Sequence, residues 1–252
     1  MTAWKQSVNE VRGRLAGRAE ALVREQLRRR GLALVGHTPE EYIHLRRVRV
    51  LAVHGVDLVL DVGANTGQYV GNLRREGYTG RIVSFEPVSA AFTALAQSAA
   101  SDPAWDVHQW AIGDREGALE IHTYEDSRHN SGLAPAPGRP MPPSLGVETV
   151  SVKPLDALRD AVWSAADRIA LKLDVEGFER EALAGATALL EHALVVEVEL
   201  STVALHEGQA LLPEVASYLY DRGFRLTSLR PIWTDPGSGA LVEADGVFER
   251  SA

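Results

Sequence analysis

Apolar residues recur at helical spacing from the first turn of the chain. Trp4, Val8, Val11, Leu15, Ala19 and Leu22 step by three or four and fall on one face of a helix over the first thirty residues. Arg12, Arg14, Arg18, Arg24 and the run Arg28-Arg29-Arg30 occupy much of the remaining surface. A basic amphipathic helix can lie on an anionic membrane. The stripe is short of bulky residues, which favours packing on the protein body or on a second subunit, so a homodimer through the N-terminal helices is one expectation. A second helix is predicted from Pro39 toward Gly55, with Thr38 as N-cap and Glu41 at capping-box spacing. Residues 1–55 therefore read as a helical extension.

From residue 56 to 252 the period changes, and short apolar runs alternate with helical patterns, the mark of a mostly parallel sheet. Strands are predicted at Leu58–Val62, Arg81–Glu86, Val107–Ala111, Ile169–Val175 and Ala193–Leu200. Helices are predicted through Leu73, over Ser89–Ala100, over Phe178–Glu191 and over Leu211–Arg222, the last stopped by Gly223. Phe224–Leu229 and Gly246–Arg250 complete a set of seven strands. The rhythm breaks once. Ala118–Tyr124 and Glu148–Val152 read as an antiparallel pair flanking Glu125–Gly146, a loop with Pro135, Pro137, Pro140, Pro142 and Pro143. A loop of that length inside a compact domain is functional or disordered.

Composition narrows the chemistry. The 252 residues suit one large α/β domain with additions, and 45% apolar residues can fill a core. A net charge of -8 argues against a broad nucleic-acid surface and for a small-molecule partner. The absence of cysteine excludes disulfides, thiolate metal sites and cysteine nucleophiles. No apolar stretch approaches the roughly 18–20 residues of a membrane span, and arginines interrupt any signal-peptide core. The resulting expectation is a cytoplasmic protein without a transmembrane segment.

In an open parallel sheet, ligands bind beyond the carboxyl ends of the strands. Asp61-Val62-Gly63-Ala64-Asn65-Thr66-Gly67 follows the first strand there, and its spacing is not the G-x-G-x-x-G of dinucleotide enzymes. Glu86, closing the second strand, can accept two hydrogen bonds from a ribose diol, or can serve as a helix cap or surface ion pair. Further on, Ile112 can pack on an adenine ring and Asp114 can accept from its amino group, unless Asp114 simply opens a turn. The fourth and fifth strands end in Asp174, Glu176, Glu197 and Glu199. Acids in a parallel strand are costly unless paired or functional, and their cation can be a sulfonium, a magnesium ion or Lys172. Asp174, Glu176 and Glu199 are the candidate metal ligands, since an oxygen-rich set suits a hard cation; a structural network is the alternative.

Taken in order, Asp61–Gly67, Phe85-Glu86-Pro87, Ala111-Ile112-Gly113-Asp114, Leu171-Lys172-Leu173-Asp174-Val175-Glu176-Gly177-Phe178-Glu179 and Asp245-Gly246-Val247-Phe248 resemble the FkbM family of methyltransferases. The resemblance covers roughly Leu58 to Phe248. It implies an α/β class I methyltransferase fold, Rossmann-like, with a seven-stranded mostly parallel sheet and helices on both faces. It also implies S-adenosylmethionine as cofactor, with Gly63, Asn65 and Gly67 around its methionine part and Glu86 on its ribose. The usual family reaction is O-methylation of a sugar, polyketide or other secondary-metabolite hydroxyl. The Pro-rich loop after Asn130-Ser131 departs from the family pattern, so the acceptor does not carry over.

A sulfonium methyl is already electrophilic, so the protein must align the acceptor and provide a path for its proton. The candidate bases are Asp174 and Glu176, followed by His129 and His206. Two competing functions are a nucleotide-cofactor oxidoreductase and a non-catalytic scaffold. The turn spacing and strand-end acids count against the first, and the intact cofactor residues against the second.

Overall fold

The computed structural model describes residues 25–27 and 39–251, leaving aside the side chains of 39–44. Residues 25–27 are helical; the rest of the amphipathic helix expected over the first thirty residues, and the Thr38 cap, lie outside the described residues. The second predicted helix is present as α1 (Pro39–Val53). One compact unit spans Arg47–Ala252.

In that unit β1 (Leu58–Val62), α2 (Gln68–Arg75), β2 (Arg81–Phe85), α3 (Ser89–Ala99) and β3 (Trp105–His108) follow in alternation. After an insertion come β7 (Ile169–Leu173), α4 (Glu179–Ala184), α5 (Thr187–His192), β8 (Ala193–Ser201) and α6 (Leu212–Tyr220). A long hairpin of β9 (Phe224–Thr234) and β10 (Leu241–Arg250) ends the domain. The insertion contributes β4 (Ala111–Ile112), β5 (Gly117–Tyr124) and β6 (Ser144–Lys153), a separate sheet of order β4-β6-β5. The main sheet has seven strands in the order β3-β2-β1-β7-β8-β10-β9, parallel except for β10, which runs antiparallel to both neighbours.

Both faces of the central strands are covered, so β1 and β7 are buried along their whole length. Period-two alternation divides them between two cores. Leu58, Leu60, Val62, Leu171, Val196 and Val198 pack with Leu183, Leu189 and Leu219 from α4, α5 and α6. Val59, Ile82, Ala170 and Val195 pack with Leu51, Val70, Leu73 and Leu95 from α1, α2 and α3. On this second face the side chains change character toward the carboxyl ends. Two residues beyond the apolar row stand Ser84, Asp61, Lys172 and Glu197, adjacent in register from β2 through β8. Two residues further along the chain come Gly63 and Asp174, just past the ends of β1 and β7, and Glu199 in β8. The face thus grades from apolar, to buried and charged, to acidic.

Several expected boundaries differ, and β6 begins at Ser144, inside the loop expected over Glu125–Gly146. The third strand stops at His108, because the chain turns out of the sheet where the His108 and Trp110 rings stack with centroids 4.4 Å apart. Ala111 and Ile112 consequently pair with β6 in the second sheet. The helix expected over Phe178–Glu191 is two helices broken at Gly185, where a β-carbon would lie 1.9 Å from the Gly113 carbonyl oxygen. Close approach of two backbones outweighs helical continuity there. The final hairpin is longer than its apolar pattern suggests, since β9 continues through Thr234 with exposed side chains.

Candidate active site

The turn after β1 is assembled by its neighbours. Gly63 and Ala64 donate their N–H groups to the Phe85 carbonyl. Gly63 has φ 76°, and a β-carbon on it would sit 1.7 Å from the Asp174 carbonyl oxygen, so only glycine fits between the two loops. Asn65 also takes a left-handed conformation, φ 48°. Its N–H donates to Glu86 Oε2 at 2.9 Å, and the Val88 N–H donates to Glu86 Oε1 at the same distance. Burial pushes the Glu86 carboxyl up to about 6, against the lowering effect of those two backbone donors and of Lys172. The carboxylate is thereby oriented, with lone pairs left for a ligand's hydroxyls.

Asp61 is wholly buried beneath the turn. Its Oδ2 accepts from Ser84 Oγ at 2.9 Å and its Oδ1 lies 3.2 Å from Lys172 Nζ. Lys172 also donates to the Gly63 carbonyl at 2.9 Å and stands 3.4 Å from Asp174 Oδ2. Burial alone would lower the Lys172 ammonium, but Asp174 and Asp61 raise it above its ordinary value. One buried cation therefore ties together the end of β1, the glycine turn and the loop after β7. Ile112 is in the core at 2% exposure, while Asp114 is half-exposed beside Arg115.

Asp174, Glu176 and Glu199 are brought together: one carboxylate oxygen from each lies within 4.8 Å of the others. Burial, then Asp174 and neighbouring acids, push Glu176 and Glu199 well above the usual carboxylate range. Glu176 reaches the group because its backbone is left-handed, φ 52°. The turn is stabilised from below by Glu179, whose Oε1 accepts from the N–H groups of Val175 and Gly177. Burial pushes Glu179 up to about 7. Glu197, the fourth strand-end acid, belongs to the deeper row and is held by Arg47 and Tyr69.

The Pro-rich segment is pinned across these strand ends. Ser127 Oγ meets the Asn65 side chain at 3.1 Å, and Ser131 Oγ donates to the Glu176 carbonyl at 2.6 Å. Ala136 N–H donates to Leu205 O, and Glu207 N–H to Ala134 O. His206 is 1% exposed inside this junction, its Nε2 3.3 Å from Arg139. A guanidinium only donates, so Nε2 accepts and Nδ1 carries the proton. Burial, then Arg139 and the histidines 129 and 122, push His206 down to about 4. His206, expected among the bases, is therefore an enclosed ring whose Nε2 lone pair is engaged by Arg139. His129 lies at the end of a short 3-10 turn, 3.6 Å from Asp126.

Sequence reasoning missed Arg47, Tyr69, Ser127, Ser131 and Arg139. Only Tyr69 and Ser131 stand near a motif, and nothing local marks the others. Among the tryptophans, Trp163 fills the core, Trp105 donates to Ser84 Oγ, and Trp233 is exposed.

This strand order, with an antiparallel β10 inserted beside the edge and a glycine turn held by the acid that follows β2, is that of a class I S-adenosylmethionine-dependent methyltransferase. The chain belongs to the FkbM methyltransferase family, whose "Methyltransferase FkbM domain" matches residues 61–226. It is 28% identical over 208 residues to the 31-O-demethyl-FK506 methyltransferase FkbM of Streptomyces tacrolimicus, covering 69% of this chain and 77% of that one. Among solved structures it is similar to the magnesium protoporphyrin IX methyltransferase ChlM of Synechocystis PCC 6803 with bound SAM (14% identity, 86% of this chain and 87% of that one, TM-score 0.44). Another is an rRNA methylase from Streptococcus thermophilus (12% identity, 87% and 100%, TM-score 0.47). Membership of a methyltransferase family sets aside the oxidoreductase alternative. Among the described residues no helix is long and apolar enough to cross a membrane.

Proposed function

We propose that this chain is an O-methyltransferase acting on a hydroxyl of a sugar, glycan or secondary metabolite. The observation that carries the reading is the acid group Asp174, Glu176 and Glu199, gathered beside the glycine turn. Carboxylates accept hydrogen bonds from hydroxyls and can take the proton that methylation releases. The relative from Streptomyces tacrolimicus is named for methylation at an oxygen, which agrees with this reading.

The residues present fit the cofactor: Gly63, Asn65 and Gly67 would hold its methionine part, and Glu86, oriented by two backbone donors, its ribose. S-adenosylmethionine, when bound, supplies an electrophilic methyl group on a sulfonium. The chain's own work is alignment and proton removal. Asp174, beside Lys172, faces the site as a carboxylate that orients the acceptor hydroxyl. Glu176, whose hold on a proton is strengthened by burial and by Asp174, is the acid that takes the proton released from the acceptor. The loop from Ser127 to Arg139 limits water and shapes the acceptor pocket.

The same three oxygens favour a second reading of this centre, with Mg2+ held by Asp174, Glu176 and Glu199, fixing the direction of the hydroxyl and lowering its pKa. Labelled methyl transfer to a panel of hydroxylated sugars and lipids, with and without EDTA, separates the two. Transfer to oxygen that is insensitive to EDTA supports the carboxylate base, whereas loss on chelation and recovery with Mg2+ supports the metal. Methylation of nitrogen only would overturn the acceptor class. Asp174→Asn is expected to abolish transfer while leaving calorimetric cofactor binding largely intact; near wild-type turnover would remove Asp174 from the mechanism.

A further inference from the structure

Lys172 and Glu197 are register partners on adjacent strands and project from the same face of the sheet. Opposite charges so placed and so buried attract strongly, because little water screens them. Yet the ammonium turns away, to Gly63, Asp61 and Asp174. Glu197 is occupied instead by Arg47 of α1, whose Nε lies 2.6 and 2.9 Å from the two carboxylate oxygens and whose second nitrogen also contacts it. Tyr69 donates to Glu197 Oε2 at 3.1 Å. Its ring stands between the two cations, 5.1 Å from the Arg47 guanidinium and 5.5 Å from Lys172 Nζ.

We propose that Arg47 is a positioning residue for the cofactor turn: by holding Glu197, it leaves Lys172 free to clamp Gly63 and Asp174. Arg47 lies outside residues 61–226 matched by the family. Without its guanidinium, Glu197 becomes a buried carboxylate with one neutral donor, and the adjacent Lys172 is the cation that satisfies it. Movement of Lys172 toward β8 releases the Gly63 carbonyl and unties the glycine turn from the loop after β7. Arg47 also reaches Asp245 Oδ2 at 3.2 Å, but Asp245 keeps Arg230 when Arg47 is removed.

The inference rests on the reading that the turn Asp61–Gly67 holds S-adenosylmethionine, so its test carries a control for that reading. Calorimetric dissociation constants for S-adenosylmethionine are measured on the full chain, below each variant's melting temperature. Arg47→Gln is expected to weaken binding about tenfold, and Arg47→Lys, which can still pair with Glu197, to recover most of the loss. Arg47→Gln with Glu197→Gln is expected to return within about twofold of the parent, since no stranded carboxylate remains to draw Lys172. Lys172→Met weakens binding by itself, and adding Arg47→Gln to it changes nothing further. A purely structural role predicts additive losses in that background, and additivity would overturn the proposal. Should Arg47→Gln fail to fold, Glu197→Gln alone decides. Binding within about twofold of the parent supports the proposal, and a large loss shows that the ion pair itself is what the site needs. Glu86→Ala is the control. If it binds the cofactor like the parent, the reading of the turn fails; if it weakens binding while Arg47→Gln does not, the role of Arg47 fails.

Discussion

Glu86 shows how much a single side chain can do once the fold has oriented it. Its carboxyl, raised to about 6 chiefly by burial, is partly protonated under mildly acidic conditions. On the proposed ribose role, the hydroxyls donate more strongly to the ionised form, whose two oxygens both accept, so cofactor binding should pull the proton off. Affinity for S-adenosylmethionine is therefore expected to fall as pH drops below about 6, with proton release on binding visible by calorimetry in buffers of different ionisation enthalpy. Glu86→Gln should weaken binding by roughly 10–100-fold, the cost of losing hydrogen bonds to a charged acceptor, and flatten that pH dependence. A preserved pH slope in the variant would assign the titration to another group. Glu86 was legible in the sequence because it sits where a strand ends in Pro87. The different fates of Asp61 and Asp174 were not, since both carry the same side chain at a strand end. Only the packing buries Asp61 under the turn and leaves Asp174 facing the site.

At the level of elements, hydrophobic period located nearly every strand and helix of the main sheet. It failed where contacts distant in sequence overrule local preference. The break at Gly185 is set by the Gly113 carbonyl, and the end of β3 by the stack of His108 on Trp110. The Pro-rich segment is the largest such case. Its prolines announce a loop, but its path is decided by Ser131 on Glu176 and by the backbone bonds to Leu205 and Glu207. Ser131 is 2% exposed and its hydroxyl also accepts from the Leu133 N–H. Ser131→Ala should cost about 1–3 kcal/mol in a thermal or denaturant melt, through a buried carbonyl and N–H left unpaired. The same change should raise the acceptor KM several-fold while the cofactor dissociation constant stays put. Equal losses in both would show that the loop serves the cofactor rather than the acceptor.

Over the whole molecule, the acidic rim of the sheet face should govern stability. Glu86 and Glu179, raised to about 6 and about 7, are ionised in the unfolded chain at lower pH than in the native one. Their stabilising effect is complete below about 4.5 and is lost as pH rises through 6 and 7. For Glu179 that amounts to roughly 3 kcal/mol. Glu176, Glu199, Glu243 and Asp245 are raised as well and act in the same sense. His206, lowered to about 4, and His108, lowered by burial, act oppositely, as two groups against six. Below about 4 the depressed carboxyls Asp102 and Asp126 reverse the trend. The unliganded protein is thus expected to melt at its highest temperature near pH 5 and several degrees lower at pH 8. Bound S-adenosylmethionine should narrow that gap by placing a cation at the rim. A flat profile from pH 5 to 8 would show that the rim acids do not interact as their spacing implies.

The turn at Asp61–Gly67, the acid after β2 and the segment Lys172–Gly177 are determined by the sequence itself, because each needs only a strand, a following bend and a few chemically specific side chains. The period-two pattern likewise determines which residues of β1, β7 and β8 share a face. What only the tertiary structure decided is which charges meet. Arg47 and Glu197 are separated by 150 positions, Ser131 and Glu176 by 45. Ion pairs and hydrogen bonds depend on distances of a few ångströms, and those are set when α1 and the Pro-rich loop pack against a sheet formed from other parts of the chain. Local pattern places a carboxylate at the end of a strand; folding decides whether it meets a lysine, an arginine or the substrate.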